Sequence, residues 1–414
     1  MKASKLLIVP WLLSSSYLLA NEQNLKYDAY ISDYKQKEFL YDYQKNEQEA
    51  LKLRDSWIAP VQLNYSYSRS NPYIGEQISE NASVRMNQPI FRSGGIYYGI
   101  KFAGASRLFS DYTTDSLKRK MIKDTIATLF QIKQYELREH KQALQIANAE
   151  INLEQKKEEY LSGRLDSGFL DNAIIQKNIV TQTMYDIETT KEKLIATFAS
   201  LSDLDYKTAK LPHLELISQD EFLQNNIALK ISDVTVEKNR YAKNVKVASY
   251  LPNVSFNASY NWNKKDNQQF SATFPPNSEE SAYYSYGLSV SMPLDLNTFR
   301  DIESAKVDYL KSKVLLLDKK RELEALFVQV MQNIKNYEKK IALSHENMKL
   351  YEKLLSDTEE LYEAGYKTEY DVNTLKNSLK IQELDTKIYD IDKQLELLTL
   401  YEMYMKANVE GKSK

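Results

Sequence analysis

Between Val254 and Trp262 the chain alternates without a break. Val254, Phe256, Ala258, Tyr260 and Trp262 fall on one side, and Ser255, Asn257, Ser259 and Asn261 on the other. A period of two belongs to a β-strand, whose successive side chains point to opposite faces. Tyr284, Tyr286, Leu288, Val290 and Met292 against Ser285, Gly287, Ser289 and Ser291 make a second strand. The same design occurs earlier, in Val61, Leu63, Tyr65 and Tyr67 against Gln62, Asn64, Ser66 and Ser68, and in Ala82, Val84 and Met86 against Ser83, Arg85 and Asn87. An apolar, aromatic face opposite a small, polar one is the pattern of a transmembrane barrel around a wet lumen. A soluble sheet with one face on a core alternates too, but the aromatic weight of the apolar face favours the barrel.

Elsewhere the period changes to seven. No Pro or Gly interrupts Asp301 to Tyr362, which predicts one helix roughly 90 Å long at about 1.5 Å per residue. Phe327, Ile334, Ile341, Met348, Leu355 and Tyr362 form one heptad series; Leu316, Leu323, Val330, Tyr337 and Tyr351 form another, with Ser344 as a gap. Phe130, Leu137, Leu144 and Ile151, then Val180, Ile187, Leu194 and Leu201, repeat the pattern in the first half. Such spacing drives a left-handed coiled coil. A helix of this length projecting from a membrane barrel is a stave of a tube or stalk.

The chain is built twice on one plan. Each half runs helix, two strands, long helix, tip, helix. The first strand opens at a proline in both halves (Pro60, Pro252) and the second closes near one (Pro89, Pro293). The tips correspond as Tyr160-Leu161-Ser162-Gly163 and Tyr362-Glu363-Ala364-Gly365. Residues 21–204 are the first repeat, 205–220 an equatorial linker and 221–414 the second repeat. Strands are expected at about 60–69, 82–91, 252–263 and 283–293, and tips at about 161–171 and 363–371. The loops Asn71–Glu80 and Lys264–Ser281 are expected at the surface. The fold class is thus a mixed α+β membrane protein: an internally duplicated chain with a long α-helical coiled-coil barrel and four strands of a transmembrane β-barrel. Four strands cannot close a barrel, and open edges in lipid cost several kcal/mol per unpaired group, so other copies of the chain must complete the sheet.

Composition agrees. With only 10 Gly and 9 Pro in 414 residues, long elements are favoured over many short ones. The net charge of −2 gives no basic stripe for nucleic acid. Cysteine is absent, which excludes disulfides, thiolate metal sites and a cysteine lipid anchor. Lys2 and Lys5 before an apolar run to Ala20 read as a signal peptide over residues 1–20. His140, His213 and His345 are widely separated, and no H-E-x-x-H, nucleophile elbow or phosphate loop occurs. No enzyme, cofactor or metal site is indicated.

These features together resemble the TolC family of outer-membrane channel proteins. The resemblance spans essentially the whole mature chain. It rests on the duplicated strand pairs, on Gln88-Pro89-Ile90-Phe91-Arg92-Ser93-Gly94-Gly95 with its counterpart Met292-Pro293-Leu294-Asp295-Leu296-Asn297, and on the tip Gly365-Tyr366-Lys367-Thr368-Glu369-Tyr370-Asp371-Val372. It implies a homotrimer in outer-membrane lipid, with twelve strands and a twelve-helix periplasmic tunnel. It further implies an exit duct for drugs, detergents or secreted polypeptides, working with a periplasmic adaptor and an inner-membrane transporter. Adaptor contacts map onto the tips at Gly163, Gly365 and Thr368. The gate maps onto Tyr362 and Lys367 with Asp171 as acidic partner, and a carboxylate ring onto Asp371, where such rings favour cations. Two departures stand out. Thr374 occupies the place of a second aspartate, and Gly163 to Asp171 is two residues longer than Gly365 to Asp371, so that Gly168 offers another alignment in which Asp166 competes with Asp171. The rival outside the channel class is a non-conducting periplasmic coiled-coil spacer or adaptor.

Overall fold

The structure, a computed structural model, describes residues 27–73, 75–267 and 277–405. The expected signal peptide lies outside them. The described elements run α1 (Asp33–Arg54), β1 (Gln62–Tyr73), β2 (Gly75–Phe91), α2 (Gly95–Leu161), α3 (Ser167–Leu201), α4 (Gln219–Gln224), α5 (Ile227–Ser249), β3 (Asn253–Asn267), β4 (Asn277–Ser291), α6 (Thr298–Glu363) and α7 (Glu369–Met403). Helix, strand pair, long helix and returning helix recur in that order in both halves.

The strands form one antiparallel sheet in the order β1-β2-β3-β4, leaving β1 and β4 as open edges. Its register sorts side chains by parity. One face carries the rows Leu63–Val84–Tyr260–Tyr284 and Tyr65–Ala82–Trp262–Ala282; the other carries Gln62–Arg85–Ser259–Ser285 and Asn64–Ser83–Asn261–Tyr283. Tyr283 is the aromatic exception on the polar face. The strands outrun the sequence expectation. Residues 71–73 and 75–80 and residues 264–267 and 277–281 are strand rather than surface loop, because cross-strand charges (the Arg69–Glu76 pair, and Lys264 at 3.8 Å from Glu80) support pairing beyond the apolar band. Residues 268–276 of the second expected loop lie outside the described residues.

α2 and α6 hold 67 and 66 residues, about 100 Å each. Each is lined by shorter helices in succession. α2 packs on α1 and α5 toward the sheet and on α3 and α7 toward the tips; α6 packs on α5 and then α7. The heptad series accounts for the packing. Leu323, Phe327, Val330 and Ile334 are buried, and the gap at Ser344 is buried as well, a small residue that admits close approach. The densest core lies at the equator, where Leu214 and Ile217 of the linker and Phe222 of α4 join Ile126, Phe130, Phe327 and Leu398. The linker is fastened rather than slack: Gln394 Oε1 accepts from Leu214 N at 2.9 Å, and Tyr401 Oη donates to Glu215 O at 3.0 Å.

Strand turns into helix differently in the two halves. In the first, Ser93 and Gly94 sit at φ 47° and 87°, the left-handed region that favours glycine. A Cβ on Gly95 would lie 3.3 Å from the Ala248 methyl of α5. Ser93 Oγ also donates to Pro252 O at 2.6 Å, tying the two halves together. In the second, Asp295 Oδ1 accepts from Asn297 N at 2.9 Å, closing the turn with a side chain instead.

Candidate functional site: barrel wall and helical tips

On the apolar face, Leu63, Tyr65, Tyr284, Tyr286, Leu288 and Val290 are exposed in the single chain, and the Tyr284 and Tyr286 rings stack. From Val254 to Trp262 this band runs about 27 Å along the strand, or about 21 Å in height at a tilt of about 40°, close to the apolar band of about 25 Å on outer-membrane barrels. Its far border is sharp. The next row is Tyr67–Glu80–Lys264–Glu280, and Trp262 Nε1 donates to Glu280 at 2.7 Å. An indole with its ring in the apolar band and its N–H on a charge is what a membrane–water boundary selects. The polar face is wet in character: Asn257 donates to Ser289 at 2.8 Å, and the Ser259 and Ser285 hydroxyls meet at 2.9 Å. Among the described residues no helix is long and apolar enough to cross a membrane.

About 100 Å away the helices end in two tips with one backbone. α2 stops at cap residue Ser162 and α6 at Ala364, followed by Gly163 at φ 70° and Gly365 at φ 80°. A helix cap then follows three residues on, Asp166 for α3 and Thr368 for α7. The caps differ in chemistry. Asp166 Oδ1 accepts from Gly168 N at 3.0 Å, and that backbone hydrogen bond holds its carboxyl below the ordinary range. Thr368 and Asp371 form a reciprocal capping box, Thr368 N donating to Asp371 Oδ2 at 3.0 Å, which lowers the Asp371 carboxyl.

This geometry removes the expected two-residue excess. With the caps superposed, Asp371 corresponds to Phe169 and Asp171 to Asn373, so neither Asp166 nor Asp171 is the first-half twin of Asp371. Gly168 is not a turn residue; it lies in the first turn of α3 and supplies the cap's donor. Tyr362 is half exposed, and Asp171 is exposed near the start of α3. Lys367 Nζ lies 3.9 Å from Asp371 on its own tip. No ion pair joins Lys367 to Asp171 among the described residues of one chain.

Sequence reasoning missed the seam between the hairpins. Along it Gln134 donates to Asp392 at 2.6 Å, Lys141 pairs with Asp385 at 2.6 Å, Asn377 donates to Asn148 at 2.8 Å, and Tyr370 Oη donates to Glu158 at 3.1 Å. Burial raises the Asp392 carboxyl, and the bond to Glu158 raises the Tyr370 hydroxyl. The signal was present in Gln134, Lys141 and Asn148, polar residues seven apart beside the apolar series. Among the described residues no group of three or more His, Asp or Glu is placed to hold a metal ion.

Comparison with known proteins agrees with this geometry. Residues 219–403 match the family model described as outer membrane efflux protein. The structure is similar to VceC, an outer membrane protein of Vibrio cholerae, at 13% identity and TM-score 0.69, covering 92% of this chain and 96% of that one. It is similar to the Campylobacter jejuni CmeC outer membrane channel at 12% identity and TM-score 0.68, covering 93% and 87%. For the open-state Neisseria gonorrhoeae MtrE outer membrane channel the values are 10%, 0.63, 92% and 88%. No curated protein sequence matches the chain. The resemblance to the TolC family is borne out: the fold is TolC-like over 92–93% of the chain, and residues 219–403 carry the efflux family's pattern. The fold is that of outer-membrane channels.

Proposed function

We propose that three copies of this chain close a twelve-stranded barrel on a twelve-helix tunnel. The assembly is the exit duct of a tripartite exporter, passing drugs, detergents or polypeptides from an inner-membrane transporter and periplasmic adaptor. The observation that carries this reading is the sheet. It has two open edges, one apolar exposed face and one polar face made mostly of Ser and Asn, and it stands on a shaft about 100 Å long. Three such sheets remove every edge. A wall of small hydroxyls and amides holds no solute tightly, so selection falls to the pump.

The gate is assigned to the tips. Asp371 rings the constriction, held in its capping box, and Tyr362 and Lys367 bond across to Asp171 on a neighbouring hairpin. Exposed pairs of this kind contribute only about 0.2–1 kcal/mol each, weak enough for an adaptor docking at Gly163, Gly365 and Thr368 to open them. The test is single-channel current in planar bilayers, wild type against a Tyr362→Phe, Lys367→Ser double variant. Current that rises in the variant supports duct and gate. Equal current keeps the duct and removes the gate assignment. Membrane insertion without current in either form favours a structural spacer.

A further inference from the structure

In the polar rows of the sheet one position breaks the run of small neutral residues. Arg85 projects from β2, an interior strand, in the row Gln62–Arg85–Ser259–Ser285. Among the described positions of that face the charged residues are Arg85, Lys265 and Glu279, and the last two stand directly opposite each other near the far end of the strands. Arg85 therefore has no charge of opposite sign beside it on its face. Its side chain is exposed and makes no hydrogen bond or ion pair within the described chain, while its neighbours Ser259 and Ser285 bond each other. Strand pairing fixes its direction. Val84 and Met86 on either side belong to the lipid-facing rows with Tyr260 and Ala258, and a one-residue slip would put the guanidinium in lipid.

We infer that Arg85 makes the barrel an anion-attracting stage of the duct, acting on small anionic solutes and opposite in sign to the carboxylate at the tips. The inference rests on the duct reading above. Strands about 4.8 Å apart and tilted about 40° close twelve into a barrel of roughly 12 Å radius. An extended arginine covers about half of that, so three guanidiniums reach within one Debye length (about 8–10 Å) of the axis. Their summed, screened field concentrates a monovalent anion about fivefold at that level. Charged rings of this kind set the sign of ion preference in wide pores. With Asp371 at the other end, a solute crosses two stages of opposite charge, and neither retains it through the whole passage.

The experiment compares wild type with Arg85→Ser, which matches the serines beside it, in planar bilayers under a potassium chloride gradient at low salt. The expected result is a reversal potential displaced toward cations in the variant, equivalent to at least a twofold fall in the chloride-to-potassium permeability ratio, with Arg85→Glu displaced further. Coincident reversal potentials in a conducting pore overturn this inference and leave the duct standing. A wild type that inserts but carries no current counts against the duct instead. In that case Ser259→Cys, the lone thiol in a chain without cysteine, reads the same field. An anionic methanethiosulfonate should outpace a cationic one, by a ratio that falls up to about 25-fold when Arg85→Ser is added, because a fivefold gain for the anion is matched by a fivefold loss for the cation. An unchanged ratio overturns the inference.

Discussion

The two long helices are nearly twins in length and heptad pattern, yet they live in different surroundings. α2 is enclosed by α1, α3, α5 and α7, and Leu129 and Ile132 on it are fully buried. α6 packs on α5 and α7, with a few contacts to α4, and leaves Val314, Leu317 and Val328 60–68% exposed. Duplication gave both halves the same stave. Only one stave is covered within the chain. The exposed apolar line on α6 is what a neighbouring copy would cover, and it continues the problem posed by the open strand edges. Packing thus separates the two helices into one that stabilises the protomer and one left open for the proposed assembly.

The largest expected effect breaks that contrast on the assembly side. Leu317→Asp with Val328→Asp should leave the helical far-ultraviolet signal intact while abolishing the oligomer, measured by light scattering in detergent. Each charge buried at an interface costs at least about 2–3 kcal/mol. If assembly survives, the α6 line is not an interface. On the other helix, Leu129→Ala should destabilise the protomer itself by about 2–5 kcal/mol, read as a lower unfolding temperature.

The tips sharpen the comparison at smaller scale. Both glycines have positive φ and open space around a built Cβ, so Gly163→Ala and Gly365→Ala should cost alike, about 1–2 kcal/mol of local backbone strain. Faster hydrogen exchange confined to the altered tip would report it. The caps should then separate the halves. Thr368→Ala should loosen the start of α7 by about 0.5–2 kcal/mol and leave α3 unchanged. Asp166 and Asp371 both have lowered folded-state carboxyls. Their contribution is therefore complete above the unfolded value of about 3.9 and is lost as pH falls through the folded one. Protection from exchange at both tips, relative to the intrinsic rate at each pH, should fall below about pH 4, and Asp166→Asn should remove that dependence at the first tip while keeping its acceptor.

Much of this architecture was legible because periods of two and seven are geometric. Val254 to Trp262 could only be a two-faced strand, and Phe327 with Ile334 could only line one side of a helix. What escaped was pairing across distant segments. Asp392 carries no local sign that Gln134, 258 residues away, would meet it, and Tyr370 none that it would reach Glu158. The first tip was left with two alignments for a local reason. Glycine signals a turn, but Gly168 serves as a backbone donor inside the first turn of α3, and only the cap geometry distinguishes the two roles. The strands ran longer than their apolar alternation because ladders continue wherever polar cross-strand pairs replace lipid contact.

The central claim is that one chain's open sheet is a part of a barrel completed by its copies. Light scattering on the detergent-extracted protein, with detergent mass subtracted, tests it most directly. Three chains per particle are expected, extractable only with detergent. A monomer released without detergent would contradict the account, since four strands with two bare edges cannot stand in a membrane by themselves.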